Sequence, residues 1–232
     1  MRKLLLVTAL LLLSSIAVTA EGPSASTTAL GRLKLGNSRF VRNASAPVSL
    51  SPQTRQSLVA SQKPFAMVLS CADSRVPPEY IFNAGLGELF VVRAAGEVVD
   101  KSVLATLEYG ANQLNIPLLV VMGHESCGAV RAVVDNAHVE GPNLTYLVKS
   151  IKAGTSRTAS ETMDIRQAIL ANVEQVINDA LGGSAILQGG VDAGSLQVVG
   201  AYYELSSGRV IFSEPIGNAA PSAAVTKTAA VH

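Results

Sequence analysis

The chain has 232 residues, 48% of them hydrophobic and 15% charged, which suits one sizeable domain with its own core and argues against a disordered chain. Its 18 basic and 17 acidic residues give a net charge of +1, and it has no tryptophan and only 4% aromatic residues. A nucleic-acid-binding protein needs a basic excess or a stacking surface of aromatic rings, so the composition argues against that class.

The first twenty residues have the pattern of a secretory signal peptide. Arg2 and Lys3 precede an apolar run from Leu4 to about Val18, which ends in small residues typical of a cleavage site. The alternative, a membrane anchor, needs about 20 apolar residues, and this run is shorter. We therefore expect residues 1–20 to be removed and the protein to be exported, either to a periplasm or as a secreted protein, with no membrane attachment after cleavage.

Two helices are predicted before the first strand. Residues 28–43 have apolar side chains at helical spacing with a break near Gly36-Asn37, and they form an N-terminal helical arm. Ser51-Pro52 is a helix start, with serine as the cap and proline in the first turn. We expect this second helix to end near Ser61.

The rest of the chain alternates between strands and helices, which predicts an α/β fold: a mostly parallel central sheet flanked by helices. Four short apolar runs have the length of buried strands, namely Phe65–Ser70, Leu89–Arg93, Pro117–Met122 and Gln197–Tyr203. Helical patterns lie between them at residues 102–114, 127–137 and 162–181. After a turn at Ser206-Ser207-Gly208, residues 209–212 return as an antiparallel edge strand. This single domain covers residues 21–217, and the Ala-rich residues 218–232 are expected to be a disordered tail.

Both cysteines follow predicted strands, at the edge where open α/β sheets bind their ligands. Cys71 comes directly after the first strand, and His124 and Cys127 follow the third. Neighbouring parallel strands would bring these three side chains together. Two thiolates and one imidazole form a catalytic zinc set, with three protein ligands and one open position. We therefore expect one Zn²⁺ per chain.

Two charged residues follow the first candidate ligand. Asp73 and Arg75 lie two and four residues after Cys71. An aspartate paired with an arginine stays ionised and is held in one orientation. Such a carboxylate could accept a hydrogen bond from a zinc-bound hydroxide, or it could become a fourth ligand and close the site; the sequence leaves both open.

A disulfide between Cys71 and Cys127 is the main alternative, because two cysteines in an exported protein are normally paired. The chain would then be a metal-free, disulfide-bonded binding protein. The position of both cysteines at strand ends, together with His124, favours the metal site.

The motifs resemble those of the β-class carbonic anhydrases, over a stretch from about Leu30 to Ile211. The likeness is carried by residues 36–40, 71–79, 87–93 and 123–130. It implies reversible, zinc-hydroxide catalysed hydration of CO₂ to bicarbonate and a proton, in a homodimer or a dimer of dimers. Relatives of this fold that hydrolyse CS₂ or COS keep a second substrate class open.

The resemblance also implies roles for individual residues. Cys71, His124 and Cys127 would bind zinc, and Asp73 and Arg75 would be the catalytic dyad.

In the plant-like subgroup a glutamine, a phenylalanine and a tyrosine line the CO₂ pocket, and the matching positions here hold Gln62, Phe90 and Tyr109. Phe90 and Tyr109 would come from the partner subunit. The chain departs from the family at Glu97, where asparagine is frequent. Val68 stands in the region where some bacterial members use tryptophan to hold an inhibitory bicarbonate, which favours an open zinc site here.

Overall fold

The computed structural model describes residues 28–46, 48, 50–151 and 164–217. The expected signal peptide (residues 1–20) and the expected tail (residues 218–232) lie outside these residues. Within the described ranges, no helix is both long and apolar enough to span a bilayer.

Five strands form one sheet at the centre of the fold. They are β1 (Ala66–Ser70), β2 (Leu89–Arg93), β3 (Leu118–His124), β4 (Gln197–Tyr203) and β5 (Val210–Phe212). The sheet order is β2-β1-β3-β4-β5, with β1 to β4 parallel and β5 antiparallel to β4. This confirms the predicted α/β sheet with its antiparallel edge strand. Every residue of β1 and β3 is buried, because both strands lie inside the sheet and are covered on both faces.

Helices cover the two faces of the sheet. In the described part of the chain they are α1 (Ala29–Val41), α2 (Pro52–Ser57), α3 (Pro78–Ile81), α4 (Lys101–Glu108), α5 (Gly128–Val134), α6 (Pro142–Ser150), α7 (Ile165–Gly183) and α8 (Ala185–Asp192). Alternate side chains of β1 point into two separate cores. Met67 and Leu69 pack in the core that α7 and α8 cover, whereas Val68 packs in the core that α1 and α3 cover.

The predicted helices are wrong in three respects. Helix α1 continues through Gly36 and Asn37 without a break, and Gly36 does not mark a helix end: it lies directly against the Phe82 carbonyl, where any larger residue would clash. Helix α2 ends at Ser57, short of the predicted end near Ser61. Helices α3, α6 and α8 were not predicted. Helix α8 contains the adjacent residues Gly189 and Gly190, which weaken a helical pattern.

Strand β3 extends further than predicted, and this extension positions the site. Gly123 and His124 pair with Tyr202 and Tyr203 of β4, so His124 is the last residue of the strand and not part of the following loop. Glycine is required at position 123, since a Cβ there would lie 2.8 Å from the side chain of Ile169 on α7.

Candidate metal centre

Three side chains meet at the carboxyl ends of β1 and β3. The ligand atoms of Cys71, His124 and Cys127 all lie within 4.8 Å of one another, and the three residues are buried. Both cysteines are free thiols, which contradicts the alternative of a disulfide between them. Two thiols and one imidazole at this separation match the donor set of a catalytic zinc site.

The orientation of the His124 ring leaves one nitrogen available to a metal. Its Nδ1 lies 2.9 Å from the carbonyl oxygen of Glu125. Because a carbonyl oxygen only accepts, Nδ1 carries the proton and Nε2 presents a lone pair. That Nε2 is buried and has no hydrogen-bond partner within the described residues. An unpartnered buried nitrogen costs free energy that coordination to a metal would recover, so the ring fits a bound zinc.

A tight turn brings Cys127 back to the imidazole. Ser126 has a φ of 56°, in the left-handed region, so the chain reverses between the end of β3 and the start of α5. Cys127 is the capping residue of α5. His124 and Cys127 are three positions apart, and the turn between them places both ligand atoms on the same side.

The two cysteine thiols have opposite pKa shifts. The neighbouring Cys127 side chain is the main cause that lowers the pKa of Cys71. The backbone N–H of Gly96 also donates to the Cys71 sulfur, at 3.4 Å. The neighbouring Cys71 side chain and burial raise the pKa of Cys127. A divalent cation would stabilise both residues as thiolates, which is the usual coupling of metal binding to proton release.

The structure places Asp73 and Arg75 at the mouth of this cluster. Arg75 donates to both carboxylate oxygens of Asp73, from Nε at 2.9 Å and from Nη2 at 2.7 Å, and its backbone N–H donates to Oδ1 at 2.9 Å. These bonds hold the pKa of the Asp73 carboxyl well below its usual range. The Oδ2 atom of Asp73 lies 3.9 Å from Nε2 of His124.

Arg93 also supports the site, and the sequence analysis missed it. At the end of β2, Arg93 donates from Nε to the carbonyl oxygen of Cys71 at 3.0 Å and from Nη2 to the carbonyl oxygen of Asp73. It therefore fixes the backbone of the loop that carries both groups. The available signal was a charged residue at the end of an apolar strand.

The three predicted pocket residues are not part of the metal cluster of their own chain. Phe90 of β2 and Tyr109 lie together, with ring centroids 6.2 Å apart, and Tyr109 is 49% exposed. Gln62 is exposed and precedes the amino end of β1, whereas the ligands follow the carboxyl ends of the strands. One chain therefore does not bring these residues to its own metal cluster.

Comparisons with known proteins agree with this geometry. The family model described as carbonic anhydrase matches residues 66–210, which include all three ligands. The chain is 38% identical over 193 residues to carbonic anhydrase 2 of Mycobacterium tuberculosis, covering 80% of this chain and 92% of that protein. A carbonic anhydrase of Mycolicibacterium smegmatis is 39% identical over 195 residues, with the same two shares.

A solved structure shares the fold. The Coccomyxa β-carbonic anhydrase, solved in complex with acetazolamide, superimposes with a TM-score of 0.63 at 29% identity, covering 72% of this chain and 80% of that one. The matched family model, the relatives and the grouped cysteine and histidine ligands lead to one conclusion. The chain belongs to the β-class carbonic anhydrases, zinc enzymes that interconvert CO₂ and bicarbonate.

Proposed function

We propose that Asp73 and Arg75 are the catalytic pair for CO₂ hydration in this chain. The observation that carries the proposal is the position of the Asp73 carboxylate, 3.9 Å from the free nitrogen of His124 and held on both oxygens by Arg75. A carboxylate fixed beside a metal ligand can orient a reacting oxygen there.

Each group has a separate task in this reaction. Cys71, His124 and Cys127 would hold Zn²⁺, which when bound would supply hydroxide at neutral pH by lowering the pKa of water from 15.7 to about 7. The ionised Asp73 carboxylate only accepts hydrogen bonds, so it would accept one from the attacking oxygen and direct that oxygen's lone pair towards CO₂. The products are bicarbonate and a proton, which buffer would accept.

Arg75 keeps the site open in this proposal. Because Arg75 donates to both oxygens of Asp73, the carboxylate would be kept from turning towards a metal held by the three ligands. The nitrogen Nη2 of Arg75 also lies 3.5 Å from the carbonyl oxygen of Ser126, in the turn between His124 and Cys127. These contacts support an open coordination position for water.

The pocket for CO₂ is completed by a second copy of the chain, in the plant-like arrangement. Phe90 and Tyr109 lie on and beside β2, which is an edge strand of the sheet, and Tyr109 is half exposed. Phe90 packs partly buried against the core of its own chain, so it is the half-exposed Tyr109 ring beside it that suits contact with another subunit. We propose a homodimer, alone or within a dimer of dimers, in which Gln62, Phe90 and Tyr109 line the pocket.

The protein acts outside the cytoplasm in this proposal. Support comes from Arg2 and Lys3, the apolar run after them and the small residues near position 20. The mass of the protein recovered from the periplasm or the medium, after expression of the full chain, tests this. Retention of residues 1–20 on an otherwise intact cytoplasmic protein would contradict it.

The substitution Asp73→Asn tests the catalytic pair. We expect full zinc content with a loss of CO₂ hydration of about 100-fold or more by stopped flow, because the amide donates where the carboxylate accepts. The matched control is Asp192→Asn, which changes an exposed aspartate at the end of α8. Asp192→Asn should keep wild-type turnover. Normal turnover of zinc-loaded Asp73→Asn would remove the proposed role.

A further inference from the structure

A buried carboxyl group that the reaction does not use lies beside the metal centre. Glu97 has no exposed surface, and its Oε2 atom has no hydrogen-bond partner in the described part of the chain. Its other oxygen, Oε1, accepts a hydrogen bond from Nδ2 of Asn172 on α7 at 2.9 Å. Asn172 is itself 1% exposed. Two polar side chains from distant parts of the sequence are therefore buried together.

The amide of Asn172 bonds the same turn twice. Nδ2 donates to Glu97 Oε1 and to the carbonyl oxygen of Gly96, both at 2.9 Å. These bonds attach the short 3₁₀ turn Ala95–Glu97 to helix α7. The turn is thereby fixed to the long helix that covers the sheet.

The backbone of this turn is strained at Glu97. Gly96 and Glu97 have φ values of 63° and 45°, in the left-handed region. Glycine adopts this region freely, but a residue with a Cβ such as Glu97 is strained there. Strain of this kind persists only where surrounding contacts hold it, and it is concentrated at functional sites.

The turn delivers a hydrogen bond to a metal ligand. The backbone N–H of Gly96 donates to the sulfur of Cys71 at 3.4 Å. A hydrogen bond to a ligating thiolate stabilises its charge and fixes its lone pairs, and loss of such outer contacts typically costs 10- to 100-fold in metal affinity.

We propose that Glu97 and Asn172 are positioning residues for the zinc ligand Cys71. Through the two bonds of the Asn172 amide they hold the Gly96 N–H against the sulfur, and they strengthen zinc binding by doing so. The inference rests on the zinc site described above. Glu97 acts here as a hydrogen-bond acceptor, and a neutral side chain of the same shape can perform this task.

The test is the affinity of the metal-free protein for Zn²⁺, measured by competition with a chelator at pH 7. Asn172→Ala and Glu97→Gly should each bind Zn²⁺ about 10- to 100-fold more weakly than the wild type. Glu97→Gln keeps the acceptor for Asn172 and should stay within about threefold of the wild type. If Asn172→Ala does not fold, Glu97→Gly provides the test, because glycine relieves the strained φ at that position.

Asn37→Ala is the matched control. Asn37 is another buried asparagine, and its Nδ2 donates to the carbonyl oxygens of Ile81 and Gly208, which tie α1 to helix α3 and to the turn before β5, away from the metal ligands. Its loss should lower the melting temperature and leave zinc affinity unchanged.

Three results would overturn the proposal: wild-type affinity in both Asn172→Ala and Glu97→Gly, an equal loss in Asn37→Ala, or a loss in Glu97→Gln as large as in Glu97→Gly. A wild-type protein that binds no Zn²⁺ would instead remove the zinc site itself.

Discussion

The metal cluster and the edge of the sheet at β2 differ in how much of a site one chain completes. At the carboxyl ends of β1 and β3, the ligands Cys71, His124 and Cys127 are buried and grouped within a single chain. At the β2 edge, Tyr109 is half exposed, whereas the neighbouring Phe90 ring packs partly buried against the core of the same chain. The difference indicates that one chain brings the metal ligands together by itself, whereas the CO₂ pocket proposed above needs a second chain at this edge.

Removal of one ligand should have the largest effect. Cys127→Ala leaves one thiol and one imidazole, so we expect loss of bound zinc and CO₂ hydration at the uncatalysed background. Metal analysis and stopped flow measure this. Ser70→Ala is the control, since Ser70 is buried next to Cys71 and its hydroxyl has no partner among the described residues. Full zinc and normal turnover in Cys127→Ala would break the first half of the comparison.

Removal of the arginine should have the next largest effect. In Arg75→Gln the carboxylate of Asp73 loses its main partner, so its pKa rises towards the usual range and its orientation relaxes. We expect a loss of about 10- to 100-fold in turnover with zinc retained. Arg32→Gln, which breaks the similarly exposed Arg32–Glu88 ion pair, should leave turnover unchanged. Equal rates for both variants would contradict a role for Arg75 in catalysis.

The features of the site that lie in short segments of the sequence were predicted, whereas those that depend on distant segments were not. The ligands and the Asp73–Arg75 pair lie in two short segments, each directly after an apolar strand, and strand ends are where such sheets bind ligands. The pattern of residues 65–70 and 117–122 was therefore enough to predict that the segments meet. The exact end of β3 was not predictable, because pairing of His124 with Tyr203 depends on β4, far along the chain.

Long-range contacts account for the other gaps. The pairing of Glu97 with Asn172 joins residues 75 positions apart, and no local pattern links them. Arg93 reaches the Cys71 loop only because β2 lies beside β1 in the sheet. Helix α6 begins at Pro142 in a largely exposed segment, and none of its residues is buried, so it lacks the core-facing positions that mark a helix such as α7.

A mixed dimer sharpens the comparison at the β2 edge. Tyr109→Ala alone should lower turnover roughly tenfold through a weakened pocket. Asp73→Asn alone should be nearly inactive. In a mixed dimer of these two variants, one of the two sites combines an intact Asp73 with an intact Tyr109 from its partner, so activity should rise well above the mean of the two parent dimers. Activity equal to that mean would show that the chains do not share a pocket.

The smallest expected effect is a pH dependence of the stability, caused by the buried Glu97 carboxyl beside the metal cluster. Burial raises the pKa of Glu97 from 4.5 to about 8, so the folded chain keeps a proton that the unfolded chain releases. The resulting stabilisation is fully present below about pH 4.5 and is lost as the pH rises towards 8, at a slope of about 1.4 kcal/mol per pH unit at most. Urea unfolding at several pH values should therefore show the free energy of unfolding of the wild type falling relative to Glu97→Gln, whose amide does not titrate.

Glu204 is the contrasting case, because bonds from Ser207 and Arg166 lower its pKa, and Glu204→Gln should cause no such slope in this range. Parallel stability curves for the wild type and Glu97→Gln would contradict the raised pKa of Glu97, and with it the full burial of this side of the metal cluster.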